Sequence, residues 1–219
     1  MAVVRFEVAA DVPGAAGEVV APETKPGETP PASDQATLRF RVAPDALPGL
    51  RDFRLATPSG ASTLGQLVVT RNPVCPEDRA VSNDALAAAQ AVELPATICG
   101  AIEKAEDVDY YKFHAEAGAS LTLHMYCMRL LDRLHDMQVR CDPILTLKNA
   151  SGTVLAMVDN FYAGDPLLHH TFSVAGEYYL EIRDVRYQGN PYWVYALEID
   201  DRPFLLNTYP LAVAPGSET

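Results

Sequence analysis

Two segments far apart in the chain constrain its fold most: Asp107-Val108-Asp109-Tyr110-Tyr111-Lys112-Phe113 and Gly176-Glu177-Tyr178-Tyr179-Leu180-Glu181-Ile182-Arg183-Asp184. Each reads as a β-strand entered through a turn, with tyrosines set to pack between sheets. Between and after them lie further strand-like runs punctuated by glycine and aspartate. This organisation points to an antiparallel β-sandwich, a scaffold that binds more often than it catalyses.

Leu38, Phe40 and Val42 alternate with Arg39 and Arg41, and Phe53 and Leu55 alternate with Arg54 and Ala56. With turns at Pro48-Gly49 and Ser59-Gly60 and a run at Leu67-Val68-Val69, residues 1–71 read as strands of a small, incomplete β module. An immunoglobulin-like sandwich needs about seven strands, more than this stretch supplies. Residues 10–36, rich in Pro, Gly, Glu and Thr, read as a disordered insertion. Residues 72–82 read as a linker. Ser82 or Asn83 is positioned to cap a short helix over Asp84–Ala91.

From 83 to 201 the pattern is that of a complete sandwich. Strands are expected near 96–103, 109–115, 119–128, 143–149, 153–158, 168–174, 177–184 and 192–199, a spacing that suits a jelly roll. Trp193, Tyr195, Leu197 and Ile199 share one face. Leu130, Leu131, Leu134 and Met137 have helical spacing, so 129–139 reads as a helical excursion. Residues 202–219 read as a linker to a following module, and the chain as a piece cut from a longer protein. The fold class is thus all-β: a jelly-roll-like antiparallel β-sandwich with a smaller, incomplete immunoglobulin-like β module before it.

The formal charge of −12 argues against a nucleic-acid partner. No apolar run reaches the length that a membrane-spanning helix needs, and residues 1–20 lack the pattern of a signal peptide. None of the four cysteines, Cys75, Cys99, Cys127 and Cys141, forms a C-x-x-C pair, which disfavours structural zinc. In an oxidising compartment four cysteines allow three connectivities. Cys127 and Cys141, bracketing one polar segment, are the preferred pair; four buried free thiols are the alternative.

The succession of Asn83-Asp84, Ile98-Cys99-Gly100-Ala101-Ile102, Asp107-Val108-Asp109-Tyr110-Tyr111, Ala117-Gly118, Asp142-Pro143-Ile144-Leu145, Gly152, Leu155-Ala156, Asp159 and Ala175-Gly176-Glu177-Tyr178-Tyr179 resembles the bacterial pre-peptidase C-terminal domain over about Glu77–Asp200. Residues 46–51 and 54–62 resemble the closing strands of an immunoglobulin-like domain. The resemblance implies a non-catalytic module outside the cytoplasm, found beside secreted hydrolases, with neighbouring domains of the same polypeptide as partners. It also implies that Asn83, Asp84, Asp107 and Asp109 match calcium ligands of some relatives. Those relatives carry acidic residues just before the Asn, where this chain has Arg79 and Val81. Capping of a turn and a helix is the competing role for these residues. The loop Asp159-Asn160…Asp165 offers oxygens too, but reads better as solvated.

Phe161 and Tyr162 in one loop, and Tyr187 and Tyr192 around another, are the candidate ligand-binding aromatics, because tyrosine buries contact area at low entropic cost. His169 and His170 point to opposite faces of a strand and cannot readily share one ion; His114 and His124 are read as lying on neighbouring strands. Ser62 and Ser151 lack the nucleophile-elbow pattern, and the chain is read as not an enzyme. The expected function is adhesion or substrate targeting on extracellular protein or polysaccharide, with calcium as a stabilising cofactor. A structural spacer repeat and an accessory domain of a secreted peptidase are the alternatives.

Overall fold

The computed structural model describes residues 5–8, 15–20, 37–57, 60–131, 139–210, 212 and 214–216. Strands β1 (Arg5–Val8), β2 (Ala15–Val20), β3 (Thr37–Val42), β4 (Gly49–Thr57), β5 (Gly60–Ala61) and β6 (Gly65–Val69) form a first antiparallel sheet, ordered β3-β2-β1-β4-β5 with β6 on β4. Phe40 and Phe53 meet edge to face, ring centroids 5.0 Å apart. Gly65 lies under the Phe53 ring, where a side chain would collide.

Part of the stretch read as a disordered insertion is therefore β2. Ala15 stands opposite Val42 and Val20 opposite Thr37, and Glu18 holds Arg39 and Arg41 at 3.4 and 3.3 Å. Pro13 and Pro22 flank this pairing segment rather than interrupt it, so composition averaged over 10–36 hid a strand. The remainder of that stretch lies outside the described residues.

Next come β7 (Val74–Pro76), β8 (Gln90–Ala91), β9 (Ala96–Ala101), β10 (Val108–Ala115), β11 (Ser120–Tyr126), the single-turn helix α1 (Met128–Leu131), β12 (Pro143–Asn149), β13 (Val154–Val158), β14 (Leu167–Thr171), β15 (Gly176–Asp184) and β16 (Val194–Asp200). They make two five-stranded sheets, β13-β12-β15-β10-β8 and β14-β11-β16-β9-β7. Alternation decides which side chains meet between them. Tyr111, Phe113, Leu145, Leu147, Leu180 and Ile182 come from the first, and Ile98, Leu123, Met125, Leu197 and Ile199 from the second. Fully burying each such side chain contributes roughly 1.5–3 kcal/mol. Trp193, just ahead of β16, turns inward as its spacing predicts. Phe113, Phe172 and Tyr178 close one end of the core as an aromatic trio.

Three expectations change. Val74–Pro76, read as linker, is a strand running parallel to β9. The helix expected over 84–91 is a single 3₁₀ turn, Leu86–Ala88, led by Ala85 without a side-chain cap. Its chain is pinned to β10 on both sides: Tyr110 donates to the Asn83 carbonyl, and the Val92 amide to the Lys112 carbonyl. That leaves Gln90–Ala91 to pair in parallel with β10. Each sheet thus ends in one short parallel strand, unlike the purely antiparallel expectation. Of the excursion at 129–139, residues 128–131 are helical and 132–138 lie outside the described residues. Among the described residues no helix is long and apolar enough to cross a membrane.

Candidate functional site

The four residues matched to calcium ligands gather where the chain enters the sandwich. Asn83, Asp107 and Asp109 are buried. Lys104 Nζ lies 3.3 Å from Asp84 and 3.5 Å from Asp107, and the Glu103 amide donates to Asp107 at 2.6 Å. Tyr195 donates to Asp109 Oδ2 at 2.5 Å, and the Glu77 carboxyl lies beside Asp109 while accepting from the Ala101 amide at 3.1 Å. Burial pushes the Asp109 carboxyl up to about 8, against the pull of the Tyr195 hydroxyl and with Glu77 and Asp107 adding to the rise. Glu77 is raised by burial too.

A calcium ion needs six to eight oxygens around one point. Here Lys104 already supplies the positive charge to Asp84 and Asp107. Among the described residues no three His, Cys, Asp or Glu side chains group so as to hold a metal ion. An ion held by Asn83, Asp84, Asp107 and Asp109 would have to take the place of Lys104 beside Asp84 and Asp107. The orphaned Asp109 Oδ1 sits beside a second carboxyl, and a shared proton suits that pair. Arg79 binds Glu103 at 2.7 Å.

The four candidate aromatics divide between two places. Tyr187 stacks under the Arg183 guanidinium, 4.2 Å from its centroid, and Tyr192 stands 72% exposed in the same 185–193 loop. Phe161 and Tyr162 belong to a different surface. There β13 and β14, each the outer strand of its sheet, face across the mouth of the sandwich. Met157, Phe161, Leu168, Pro203 and Leu206 line a groove of about 580 Å³ between them. Phe161 is 57% and Met157 61% exposed.

The groove runs on, past Phe204, into a polar cleft of about 250 Å³ walled by Pro48, His124, Tyr126, Glu198 and Arg202. Its rings are packed together: His124 lies 4.4 Å from Tyr126 and 4.7 Å from Phe204, and Tyr162 lies 5.1 Å from Phe204. The loop carrying Phe161 and Tyr162 is fixed by Asp165, which is fully buried. It accepts the Cys127 and Met128 amides at 3.1 and 2.6 Å and the Arg129 guanidinium at 2.6 Å. Asp165, read as a solvated loop residue, is instead its anchor. Sequence reasoning also missed Phe204 and Glu198. Phe204 follows Pro203 in a stretch read as linker, and Glu198 is an ordinary polar position in an alternating strand.

Arg129 Nη2 donates to His124 Nε2 at 2.9 Å. A guanidinium has no acceptor, so Nε2 is unprotonated and the imidazole hydrogen is on Nδ1, which faces Glu198 Oε2 at 3.7 Å. Tyr126 hydrogen-bonds Glu198, and burial together with that carboxylate pushes its phenol up to about 12. His114 and His124 prove to lie in different sheets. Ser151 donates to the Asn149 side chain within a turn.

All four cysteines carry free thiols. Cys127 and Cys141, the expected pair, are fully buried with their thiols in hydrogen-bonding contact. Cys75 packs on the core, whereas Cys99, one position past Cys75's partner Ile98, takes the opposite face.

No known protein family profile matches the chain, and no curated protein matches it. Among solved structures it is similar to the pre-peptidase C-terminal domain of a collagenase from Bacillus anthracis, at 15% identity and TM-score 0.37, covering 51% of this chain and 94% of that one. It is similar to a periplasmic inhibitor of g-type lysozyme from Aeromonas hydrophila, at 14% identity and TM-score 0.35, covering 51% and 96%. The secreted serine protease VesC from Vibrio cholerae matches at 9% identity and TM-score 0.33, covering 91% of this chain and 43% of that one.

Proposed function

We propose that this chain is a non-catalytic, extracytoplasmic module of a larger secreted or surface protein, serving in adhesion or substrate targeting. The supporting observation is the groove between β13 and β14, where Met157, Phe161 and Leu206 present apolar surface at the sandwich mouth. A contiguous apolar surface rimmed by polar groups marks a docking site more often than a solvated face. A plain spacer would have no use for it. The candidate partners are extracellular protein or polysaccharide.

The test is affinity electrophoresis of the full chain through gels carrying neutral or acidic polysaccharides, alongside solid-phase binding to fibrous matrix proteins. Retardation or capture, lost in Phe161→Ala, is the expected result. Equal behaviour of the parent chain and Phe161→Ala on every matrix would leave the spacer reading in its place.

A further inference from the structure

We infer, resting on the docking reading above, that the groove takes a polypeptide segment in which an apolar side chain is followed by a lysine or arginine, whose cation sits in the cleft against Glu198. The charges at the polar end carry this choice. Two guanidiniums flank the cleft, and each has its own carboxylate: Arg129 is bound to Asp165 and Arg202 to Asp200. Asn72 completes the second set, donating to Asp200 at 3.1 Å and accepting from Arg202 at 3.0 Å. Glu198 is different. Among the described residues its nearest basic contact is His124, whose Nδ1 lies 3.7 Å away.

The cleft therefore offers one carboxylate that forms no ion pair with a lysine or arginine of the described residues, Arg202 reaching it only through its longer-range field. Around it stand the rings of His124 and Phe204, and that of Tyr126, one face of which already carries the Arg129 guanidinium at 4.4 Å. A carboxylate set among aromatic faces is an arrangement that favours a cation, which gains from the charge and from the ring quadrupoles. The adjoining groove supplies the apolar part, since the two share Thr122, Pro203 and Phe204. The net charge of −12 attracts a basic partner from a distance. A neutral sugar would use the same rings and donate a hydroxyl to the carboxylate, but it brings no charge to offset it.

The inference is tested on the full chain by amide chemical-shift titration with the peptide acetyl-Leu-Val-Lys-amide, its counterpart carrying acetyl-lysine, and a neutral β-glucan hexasaccharide. The lysine peptide should perturb Thr122, His124, Leu168 and Leu206, and bind about tenfold more tightly than the acetyl-lysine form. Glu198→Gln, which keeps an acceptor for Tyr126, should abolish that preference and leave shifts elsewhere unchanged. Phe161→Ala should weaken both peptides alike. Equal binding of the two peptides, or an unchanged preference in Glu198→Gln, would overturn the cation site. If the hexasaccharide perturbs the groove and neither peptide does, docking stands and the partner class falls. If none of the three perturbs it, both fail.

Discussion

Tyr195 of β16 donates its hydroxyl to Asp109 of β10 at 2.5 Å, and the same oxygen lies 2.7 Å from the Tyr111 hydroxyl. Its single hydrogen is committed to Asp109, so Tyr111 is the donor in the second bond. The chain Tyr111–Tyr195–Asp109 thus ties the two sheets together inside an otherwise apolar interior. Gly100, opposite Tyr195 across β9 and β16, leaves the space that this ring and the Glu77 carboxylate occupy.

Tyr195→Phe keeps the ring and removes the tie, stranding an oxygen of Asp109 and the Tyr111 hydroxyl. Leaving buried polar groups unpaired costs about 2 kcal/mol, to be read from urea unfolding. Gly100→Ala should destabilise as well, by forcing the ring off its site. A Tyr195→Phe variant as stable as the parent would mean that the tie contributes nothing net.

Much of this was legible in the chain. Strict alternation in Val108–Ala115 and Gly176–Asp184 announces the two central strands, because one face of each is covered. Trp193 could be placed inward by the same rule. What alternation cannot show is which strand lies beside which. His114 and His124 read as neighbours and fall in different sheets. Phe204 and Asp165 act only through contacts made across the fold. Short parallel strands such as Val74–Pro76 lack the length for a period to appear.

Asp165 is the second position where one side chain carries a local structure. Asp165→Asn keeps the shape but loses the charge that holds Arg129, leaving a guanidinium beside His124 without its carboxylate. Breaking a buried pair from one side costs roughly 3–5 kcal/mol. The loss should exceed that of Tyr195→Phe in the same urea measurement, and the Phe161–Tyr162 loop should become the earliest to exchange its amides.

Acid sensitivity should come from Asp184 together with Glu181 and Asp200, whose carboxyls are likewise held down by their partners. Burial alone would raise the Asp184 carboxyl. The Asp142 amide, the Arg186 guanidinium and the Gln188 and Arg186 amides outweigh that and hold it below its ordinary value. A depressed carboxyl stabilises the fold fully above the unfolded value of about 4 and loses that contribution as pH falls through the folded value. Stability measured by urea unfolding should therefore drop as pH falls below about 4. Asp184→Asn should be less stable at neutral pH and show a shallower acid limb. An unchanged limb would assign the acid loss to other carboxylates.

Calcium should change little. With Lys104 already set between Asp84 and Asp107, melting curves in excess calcium and in chelator are expected to coincide. A ligand that binds only the folded state raises the melting temperature by mass action. A rise with calcium that disappears in Asp107→Ala would show that the ion displaces Lys104, and would restore Asn83, Asp84, Asp107 and Asp109 as its ligands.

The Cys127–Cys141 contact makes the last prediction. Cys127 closes β11 and Cys141 precedes β12, so these thiols stand where the chain passes from one sheet to the other. Exchange with a donor disulfide would join them: one thiolate attacks the donor, the second displaces the donor thiolate, and two thiol hydrogens leave as protons. Chain produced in an oxidising compartment should then show two titratable thiols in denaturant rather than four, and a mass lower by about 2 Da. Closing a loop of about 15 residues stabilises by about 3 kcal/mol, so reductant should lower the urea midpoint. Cys127→Ala with Cys141→Ala should remove that dependence on reductant, while Cys75→Ala should not. Four titratable thiols after such production would mean that burial shields the pair from exchange, and that Cys127 and Cys141 serve as core side chains alone.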